Sequence, residues 1–224
     1  AQYLKKGNLY FNDNYIIYAA GISNSKISDE KDLKRELNQI KNFIKKYNNK
    51  KIIIYLSTMS VFDKLLKNNK YIKNKLLIED LFKKKVKKFI IVRLTQVVGN
   101  NQNPSTITNF FYNNIKNNNS FYLWSGQKRN LIDIDDVVKI FKRILKKKFI
   151  KSKIINIYNT KSISVKKIII ILSKILNKEV KFKEKKFKKR LGYFSYKKFT
   201  KFYQFANLFD KGNYNKRILI KYYK

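Results

Sequence analysis

The chain of 224 residues carries a formal net charge of +39 at pH 7, because 53 lysine and arginine residues face only 14 acidic ones. It contains neither cysteine nor histidine. This excludes disulfides, thiolate metal sites and histidine-based catalysis, so no metal site is predicted. Any general base must be a carboxylate, a lysine or a tyrosine. The length suffices for one domain with a core, or for such a domain with a small addition.

The positive charge is compatible with an anionic partner, but it has a second explanation. Lysine supplies nearly all of it, and the accompanying excess of Asn, Ile, Tyr and Phe is typical of A/T-rich codons. Nucleic acid is therefore not predicted as a partner, although lysines interleaved with aromatic residues between Lys181 and Tyr203 keep a polyanion-binding protein as an alternative. Because there is no signal peptide and no apolar run of ~20 residues, we expect a cytoplasmic protein without a membrane span.

The first half of the chain alternates short apolar runs with amphipathic segments. Leu33, Leu37, Ile40 and Ile44, for example, recur at helical spacing. The predicted elements, in chain order, are a strand at 15–20, a helix at 29–46, a strand at 52–56, a helix at 71–85 and a strand at 89–93. Strands and helices that alternate at these lengths indicate βαβ units, and hence a parallel sheet covered by helices.

The second half is more polar and its elements are harder to place. Ser105 or Thr106 is expected to cap the helix that follows the only proline, and Ser164 to cap another helix. The predicted elements are a helix that runs through 110–115, a strand at 121–124, a helix from about 135 to 147, a strand at 154–158 and a helix at 165–176. From Glu179 onward the periodicity is weak, and no element is assigned.

Thr58, Tyr71 and Lys75 form the most suggestive constellation. Thr58 lies in the polar cluster that ends the strand at 52–56, and Tyr71 and Lys75 follow in a helix. Residues four apart share one helix face, so the phenol and the ammonium point the same way. A hydroxyl that faces such a pair has the geometry for proton transfer to and from an alcohol. The plainer interpretation is an exposed tyrosine near an exposed lysine, which is common in a chain so rich in both.

Five fragments occur in a fixed order along the chain. They are Ala19-Ala20-Gly21, Ser57-Thr58-Met59-Ser60-Val61-Phe62, Tyr71-x-x-x-Lys75, Arg93-Leu94-x-Gln96-Val97-Val98-Gly99 and Arg129-Asn130-Leu131-Ile132-Asp133-Ile134-Asp135-Asp136-Val137. This series resembles the extended short-chain dehydrogenase/reductases, the NAD-dependent sugar-nucleotide epimerase/dehydratase family, over roughly residues 15–176.

The resemblance implies an α/β fold: a Rossmann-like parallel sheet flanked by helices, with a small C-terminal α/β substrate-binding part. Residues 1–99 together with about 128–158 would form the Rossmann-like core. Residues 100–127 and 159–224 would form the substrate-binding part, which ends in a basic tail.

The resemblance also implies roles for individual residues. Tyr71 would be the catalytic acid/base, Lys75 would bind the nicotinamide ribose and lower the pKa of Tyr71, and Thr58 would hydrogen-bond the reacting sugar oxygen. The expected cofactor is NAD or NADP. The residues expected to bind it are Ala19, Ala20, Gly21, Tyr71 and Lys75.

The substrate implied by the resemblance is a nucleotide-activated sugar, as in polysaccharide biosynthesis, and a homodimer is expected. Gln96, Asn103 and Arg129 stand at expected substrate positions, and the guanidinium of Arg129 suits the diphosphate. Dehydratases of the family have Asp-Glu after the residue that matches Thr58, whereas this chain has Met59-Ser60. An epimerase or a keto-sugar reductase therefore fits better than a dehydratase.

One departure from the family lies at the front of the chain. The first strand and its glycine-rich phosphate turn should precede Tyr15, but the six glycines are scattered. Residues 1–6 resemble the end of the helix that would follow that turn, so we expect an N-terminally incomplete chain. Asp13 is a candidate for the acidic residue that binds the adenosine ribose. A degenerate relative without catalysis remains an alternative.

Overall fold

The structure is a computed structural model that describes residues 14–23, 29–101, 103–146, 153–186 and 212–224. Its strands are β1 (Tyr15–Tyr18), β2 (Ile52–Thr58), β3 (Phe89–Leu94), β4 (Gln96–Val98), β5 (Phe121–Trp124), β6 (Lys128–Arg129), β7 (Leu131–Asp133), β8 (Lys153–Ile157), β9 (Ile163–Ser164) and β10 (Phe182–Lys185). Its α-helices are α1 (Glu30–Tyr47), α2 (Lys70–Lys85), α3 (Ile107–Lys116), α4 (Ile134–Lys146), α5 (Val165–Leu176) and α6 (Tyr214–Tyr223). Short 3-10 turns follow β2 at Met59–Phe62 and Lys64–Leu66. The predictions for residues 1–6 and Asp13, and most of the basic segment up to Tyr203, lie outside the described residues.

Four strands form a parallel sheet in the order β1-β2-β3-β8. The central strands β2 and β3 are apolar, rich in isoleucine and buried over most of their length, as expected for a parallel sheet covered on both faces. The predicted fold class, a Rossmann-like parallel sheet flanked by helices, is confirmed.

The chain divides into two compact units, and the first comprises residues 1–94 and 137–157. Helix α1 begins where the side chain of Asp29 accepts a hydrogen bond of 2.8 Å from the amide of Lys31. The apolar face of α1 contributes Ile40 to the core of this unit. Helix α2 contributes Phe82, whose ring stacks on Tyr55 of β2 at 5.2 Å. These contacts hold α1 and α2 against the sheet beside the carboxyl end of β2.

The second compact unit comprises residues 95–136 and 158–224. Its strands pair in three short ladders, β4 with β7, β5 with β10 and β6 with β9, and helix α5 packs against α3 and α6. The side chain of Ser164 caps α5 as predicted, since it accepts from the amide of Lys167 at 3.2 Å. Thr106 precedes α3 without a side-chain cap, and its hydroxyl donates instead to the carbonyl of Asn103. The sequence-based domain boundaries, with their functional labels, stay predictions.

Strand β10 and helix α6 are elements that the sequence analysis did not assign. In β10 only Phe182 is partly buried and the other three residues are exposed, so the strand has little apolar alternation. Helix α6 buries Tyr214, Ile218, Leu219 and Tyr223. Two tyrosines in this set obscure the apolar stripe in the sequence. No helix in the described part of the chain is long and apolar enough to cross a membrane.

Candidate active site

Thr58 and Tyr71 lie together at the carboxyl end of β2. Thr58 is the last residue of the strand, and its hydroxyl accepts from the amide of Ser60 at 3.1 Å as the chain turns into the 3-10 segment. Asn69 caps α2 and so places Tyr71 in the first turn of the helix. A side-chain hydrogen bond joins Thr58 to Tyr71. The first unit therefore brings this predicted pair into contact.

Tyr71 is buried, with 8% of its surface exposed. Burial raises the pKa of Tyr71 to about 12, the negative charge of Glu36 also raises it, and the hydrogen bond with Thr58 opposes them. The expectation of a lowered pKa is thus wrong for this structure. The main physical reason is burial, which disfavours the charged phenolate.

Lys75 is more deeply enclosed than Tyr71, with 2% of its surface exposed. Its Nζ lies 2.9 Å from Oε1 of Glu36, 5.4 Å from the ring centre of Tyr71 and 5.5 Å from that of Tyr55. Burial lowers the pKa of Lys75, and the ion pair with Glu36 opposes this shift. The interpretation of Tyr71 and Lys75 as exposed surface residues is therefore excluded.

Glu36 is the residue of this site that the sequence analysis missed. It belongs to α1, and 2% of its surface is exposed. Its Oε1 accepts from Lys75 and from the amide of Ile22, at 2.9 and 3.2 Å, and its Oε2 accepts from Nδ2 of Asn74 at 2.7 Å. The signal in the sequence is positional, because Glu36 precedes Ile40 by four residues and falls on the core-facing stripe of α1.

Two further phenols line the same buried region. Tyr18 of β1 and Tyr55 of β2 are buried, and neither hydroxyl has a hydrogen-bond partner among the described residues. Burial, with Glu36 as the next cause, raises the pKa of both. The interior beside Glu36 therefore contains polar groups with unused hydrogen-bonding capacity.

A second buried carboxylate, Glu79 of α2, supports the strand ends beneath this site. It accepts from the hydroxyl of Ser57 at 2.6 Å and forms an ion pair with Arg93, whose Nε lies at 2.9 Å and whose Nη2 also donates. The guanidinium of Arg93 in turn lies 4.8 Å from the ring centre of Phe62. Ser57 thus has a structural partner, whereas its neighbour Thr58 contacts Tyr71.

The segment after β1 offers backbone close to this cluster. Ala19 and Gly21 are partly exposed and Ala20 is exposed, at the carboxyl end of the strand where open α/β sheets bind ligands. A Cβ at Gly21 would lie 2.6 Å from Oε1 of Glu36 and 2.9 Å from Nζ of Lys75, so any other residue there would displace the ends of these two side chains. The predicted cofactor-binding residues Ala19, Ala20, Gly21, Tyr71 and Lys75 all belong to the first unit, and this exposed loop beside a phenol and an ammonium fits the nicotinamide half of a dinucleotide.

The three predicted substrate residues belong to the second unit. Gln96 lies in β4, where its backbone N–H donates to the backbone carbonyl of Asn130. Asn103 is exposed, and its side chain accepts from the amide of Ser105 at 2.9 Å. The guanidinium of Arg129 donates to the carbonyl of Lys128 and to Oε1 of Gln127, at 2.9 and 2.8 Å. The roles of these residues in substrate binding stay predictions.

Asp133 and Asp136 bind helix α6 within the second unit. Asp133 accepts from the hydroxyl of Tyr222 at 2.6 Å and from Nζ of Lys221 at 2.9 Å. Tyr214 accepts from the amide of Asp133 at 3.0 Å and donates to Asp136 at 2.8 Å. Asp136 also stands in the first turn of α4 as predicted. No group of three acidic residues in the described part of the chain is arranged to hold a metal ion.

The match to a family model decides the identity of the chain. The NAD dependent epimerase/dehydratase family matches residues 15–157, which is more than half of the chain. The chain belongs to this family. The match contains the candidate site and confirms the resemblance found in the sequence. No curated protein sequence matches the chain.

Solved structures of similar fold include several family enzymes. RMD from Pseudomonas aeruginosa, complexed with NADPH, is 16% identical with a TM-score of 0.62, and the match covers 82% of this chain and 72% of that one. UDP-glucose 4-epimerase from Thermus thermophilus, in complex with NAD, is 13% identical with a TM-score of 0.61. The match covers 83% of this chain and 68% of that one. UDP-glucuronic acid 4-epimerase from Bacillus cereus, in complex with UDP-glucuronic acid and NAD, is 22% identical with a TM-score of 0.67. The match covers 83% of this chain and 64% of that one. At these identities the likeness establishes the epimerase/dehydratase fold.

Proposed function

We propose that the chain is an NAD(P)-dependent epimerase or keto-sugar reductase that acts on a nucleotide-activated sugar, with Tyr71 as the acid/base. One observation carries this proposal: Tyr71 is hydrogen-bonded to Thr58 and has the ammonium of Lys75 at 5.4 Å from its ring centre. The family membership and the bound NAD, NADPH and UDP-glucuronic acid of similar structures support it.

Tyr71 would exchange a proton with the reacting oxygen of the sugar. Ala19, Ala20 and Gly21 would hold the nicotinamide half of NAD(P), which would supply or accept the hydride. A phenol with a pKa of about 12 is protonated at neutral pH. It is therefore ready to donate a proton to a ketone oxygen, and it must first lose its proton to act as a base on an alcohol. Thr58 would orient the same oxygen through its hydroxyl.

The residues that follow Thr58 limit the reaction. Met59 is buried and Ser60 provides no carboxylate. Elimination of water by the dehydratase route uses carboxyl groups at these two positions in relatives, so epimerisation or ketone reduction is the reaction that these residues support. Arg129, Gln96 and Asn103 are the proposed contacts to the nucleotide sugar, with the guanidinium placed on phosphate.

The decisive experiment compares Tyr71→Phe with the wild type. Activity is measured by NMR on UDP-glucuronic acid, UDP-glucose and a 4-keto sugar nucleotide, each with NAD and with NADP in the appropriate redox state. We expect Tyr71→Phe to lower kcat by on the order of 10²–10⁴, the usual contribution of a general acid/base. Tyr122→Phe, at a half-exposed tyrosine of β5, is the matched control and should retain activity.

Two outcomes contradict the proposal in different ways. Turnover by Tyr71→Phe at the wild-type rate would remove Tyr71 from the chemistry. A wild-type chain that binds neither dinucleotide nor sugar nucleotide in calorimetry would favour the alternative, a non-catalytic relative. This alternative is the second candidate function because Lys75 is enclosed and paired with Glu36.

A further inference from the structure

Glu36 joins three separate segments around the proposed acid/base. Its carboxylate accepts from the amide of Ile22 after β1, from Asn74 and from Lys75 of α2, while the residue itself belongs to α1. A carboxylate with these donors is fixed in place, because moving it would leave several buried groups without a partner. The fixed carboxylate in turn fixes the ammonium of Lys75.

The charged and titratable groups around Lys75 come from every element that packs on it. Strands β1 and β2 contribute phenols, helix α1 contributes the Glu36 carboxylate, and helix α2 contributes a phenol and the Glu79 carboxylate, which pairs with a guanidinium from β3. These groups are Tyr18, Tyr55, Glu36, Tyr71, Glu79 and Arg93. Since Arg93 pairs with Glu79, the ammonium of Lys75 is the cation that Glu36 and an ionised Tyr71 would share.

We propose that Glu36 is a positioning residue of the Tyr71 site, which fixes Lys75 beside the phenol and controls how strongly Tyr71 holds its proton. With Glu36 ionised and paired, removal of the proton from Tyr71 would place a second negative charge beside one cation. With Glu36 uncharged, the ammonium of Lys75 would compensate the phenolate alone.

This inference rests on the proposed function for its catalytic meaning, but its test needs neither substrate nor cofactor. Tyrosine labelled with ¹³C at Cζ reports each phenol by NMR, and Tyr71→Phe identifies the Tyr71 resonance. In Glu36→Gln, which keeps the size and most of the hydrogen bonds of the side chain, the titration midpoint of Tyr71 should fall by about one pH unit or more. An unchanged or raised midpoint in the folded variant would overturn the proposal.

The matched control is Glu79→Gln. It makes the same substitution at a second buried, ion-paired glutamate of the first unit, one that contacts Arg93 and Ser57 instead of Lys75. A purely structural role of Glu36 predicts that both variants lose stability and that neither moves the Tyr71 midpoint. The proposal predicts a shift in Glu36→Gln alone. An equal shift in both variants would also contradict it.

A second measurement covers the case in which Glu36→Gln does not fold. Reductive methylation of the wild-type chain, followed by mass spectrometry, compares Lys75 with its exposed neighbour Lys73 in the same helix. If Glu36 holds Lys75, the modification of Lys75 should be slower by on the order of tenfold or more. Equal rates would overturn the positioning role.

A loss of activity in the nucleotide-sugar assay would not bear on these measurements. If Tyr71→Phe retains turnover while Glu36→Gln moves the Tyr71 midpoint, the proposed function fails and the inference about Glu36 stands. If Tyr71 is essential and its midpoint does not respond to Glu36, the reverse holds.

Discussion

The two compact units each contain a cluster of buried polar groups, and the clusters differ in how completely their groups are paired. In the second unit, Asp133 accepts from Lys221 and Tyr222, and Tyr214 both accepts from the amide of Asp133 and donates to Asp136. In the first unit, the hydroxyls of Tyr18 and Tyr55 have no partner among the described residues.

The difference separates a structural cluster from a candidate active site. Buried polar groups are normally paired, because an unpaired one costs ~1–3 kcal/mol. Groups retained without a partner next to a titratable phenol therefore indicate a site arranged for something other than stability alone. The fully paired cluster of Asp133 has a sufficient explanation in the attachment of helix α6.

The largest loss of stability is expected when the paired support beneath the site is removed. Glu79→Leu leaves the guanidinium of Arg93 without its buried partner, and we expect the free energy of unfolding to fall by ~3–5 kcal/mol. Urea denaturation followed by far-UV circular dichroism measures this change. Asp80→Asn, the next residue of α2 with an exposed ion pair to Lys83, is the control and should have little effect. A similar loss of stability in both variants would show that the buried Glu79–Arg93 pair matters no more for stability than the exposed pair.

A substitution in the paired cluster of the second unit should affect only stability and structure. Tyr214→Phe removes a hydroxyl that bonds both the amide of Asp133 and the carboxylate of Asp136, and we expect a loss of ~1–3 kcal/mol. Hydrogen exchange should rise first in α6. If α6 keeps wild-type protection, the hydroxyl of Tyr214 does not hold this helix.

Local patterns in the sequence were sufficient for the strands of the sheet and for the shared helix face of Tyr71 and Lys75. The isoleucine run of β2 is buried whichever partner it meets, and residues four apart on α2 must share a face. The polar end of β2 follows directly from the end of that apolar run. These features depend on residues close together in the chain, so the sequence alone predicts them.

The remaining features depend on pairings between distant residues. Glu36 looks like one more charged residue of a helix until Lys75, 39 positions away, is placed beside it. The same holds for α6, whose attachment depends on Asp133 and Asp136. The raised pKa of Tyr71 follows from burial and from Glu36, neither of which is visible in the Tyr-x-x-x-Lys spacing.

Two neighbouring hydroxyls of the first unit, those of Thr58 and Ser57, are expected to differ in their effect on activity. Thr58→Val removes the hydrogen bond to Tyr71 at nearly constant side-chain volume. We expect kcat on the nucleotide sugar to fall by roughly 10- to 100-fold, which corresponds to the loss of about one hydrogen bond to a reacting group. Ser57→Ala removes the hydrogen bond to Glu79 and should lower stability while kcat stays near the wild-type value. Equal effects of the two substitutions on kcat would contradict the assignment of Thr58.

The smallest expected effect is an alkaline one, and it tests the burial of Tyr71 directly. The pKa of Tyr71 is about 12 in the folded chain, against 10.0 for the free side chain. Between these values the unfolded chain loses this proton while the folded chain keeps it. Stability that is fully present below pH 10 is therefore lost as the pH rises toward 12.

In Tyr71→Phe this contribution is absent, so its stability should fall less steeply with pH than that of the wild type. The two curves should run parallel near pH 8, and the wild type should lose about 1.4 kcal/mol more than the variant by pH 11. Urea titrations at pH 8, 10 and 11 measure the difference. Because the other tyrosines with raised pKa values are common to both proteins, their effects cancel. Curves that stay parallel through pH 11 would mean that the phenol of Tyr71 ionises as readily as in water, and that the site is more open than its contacts with Thr58 and Lys75 imply.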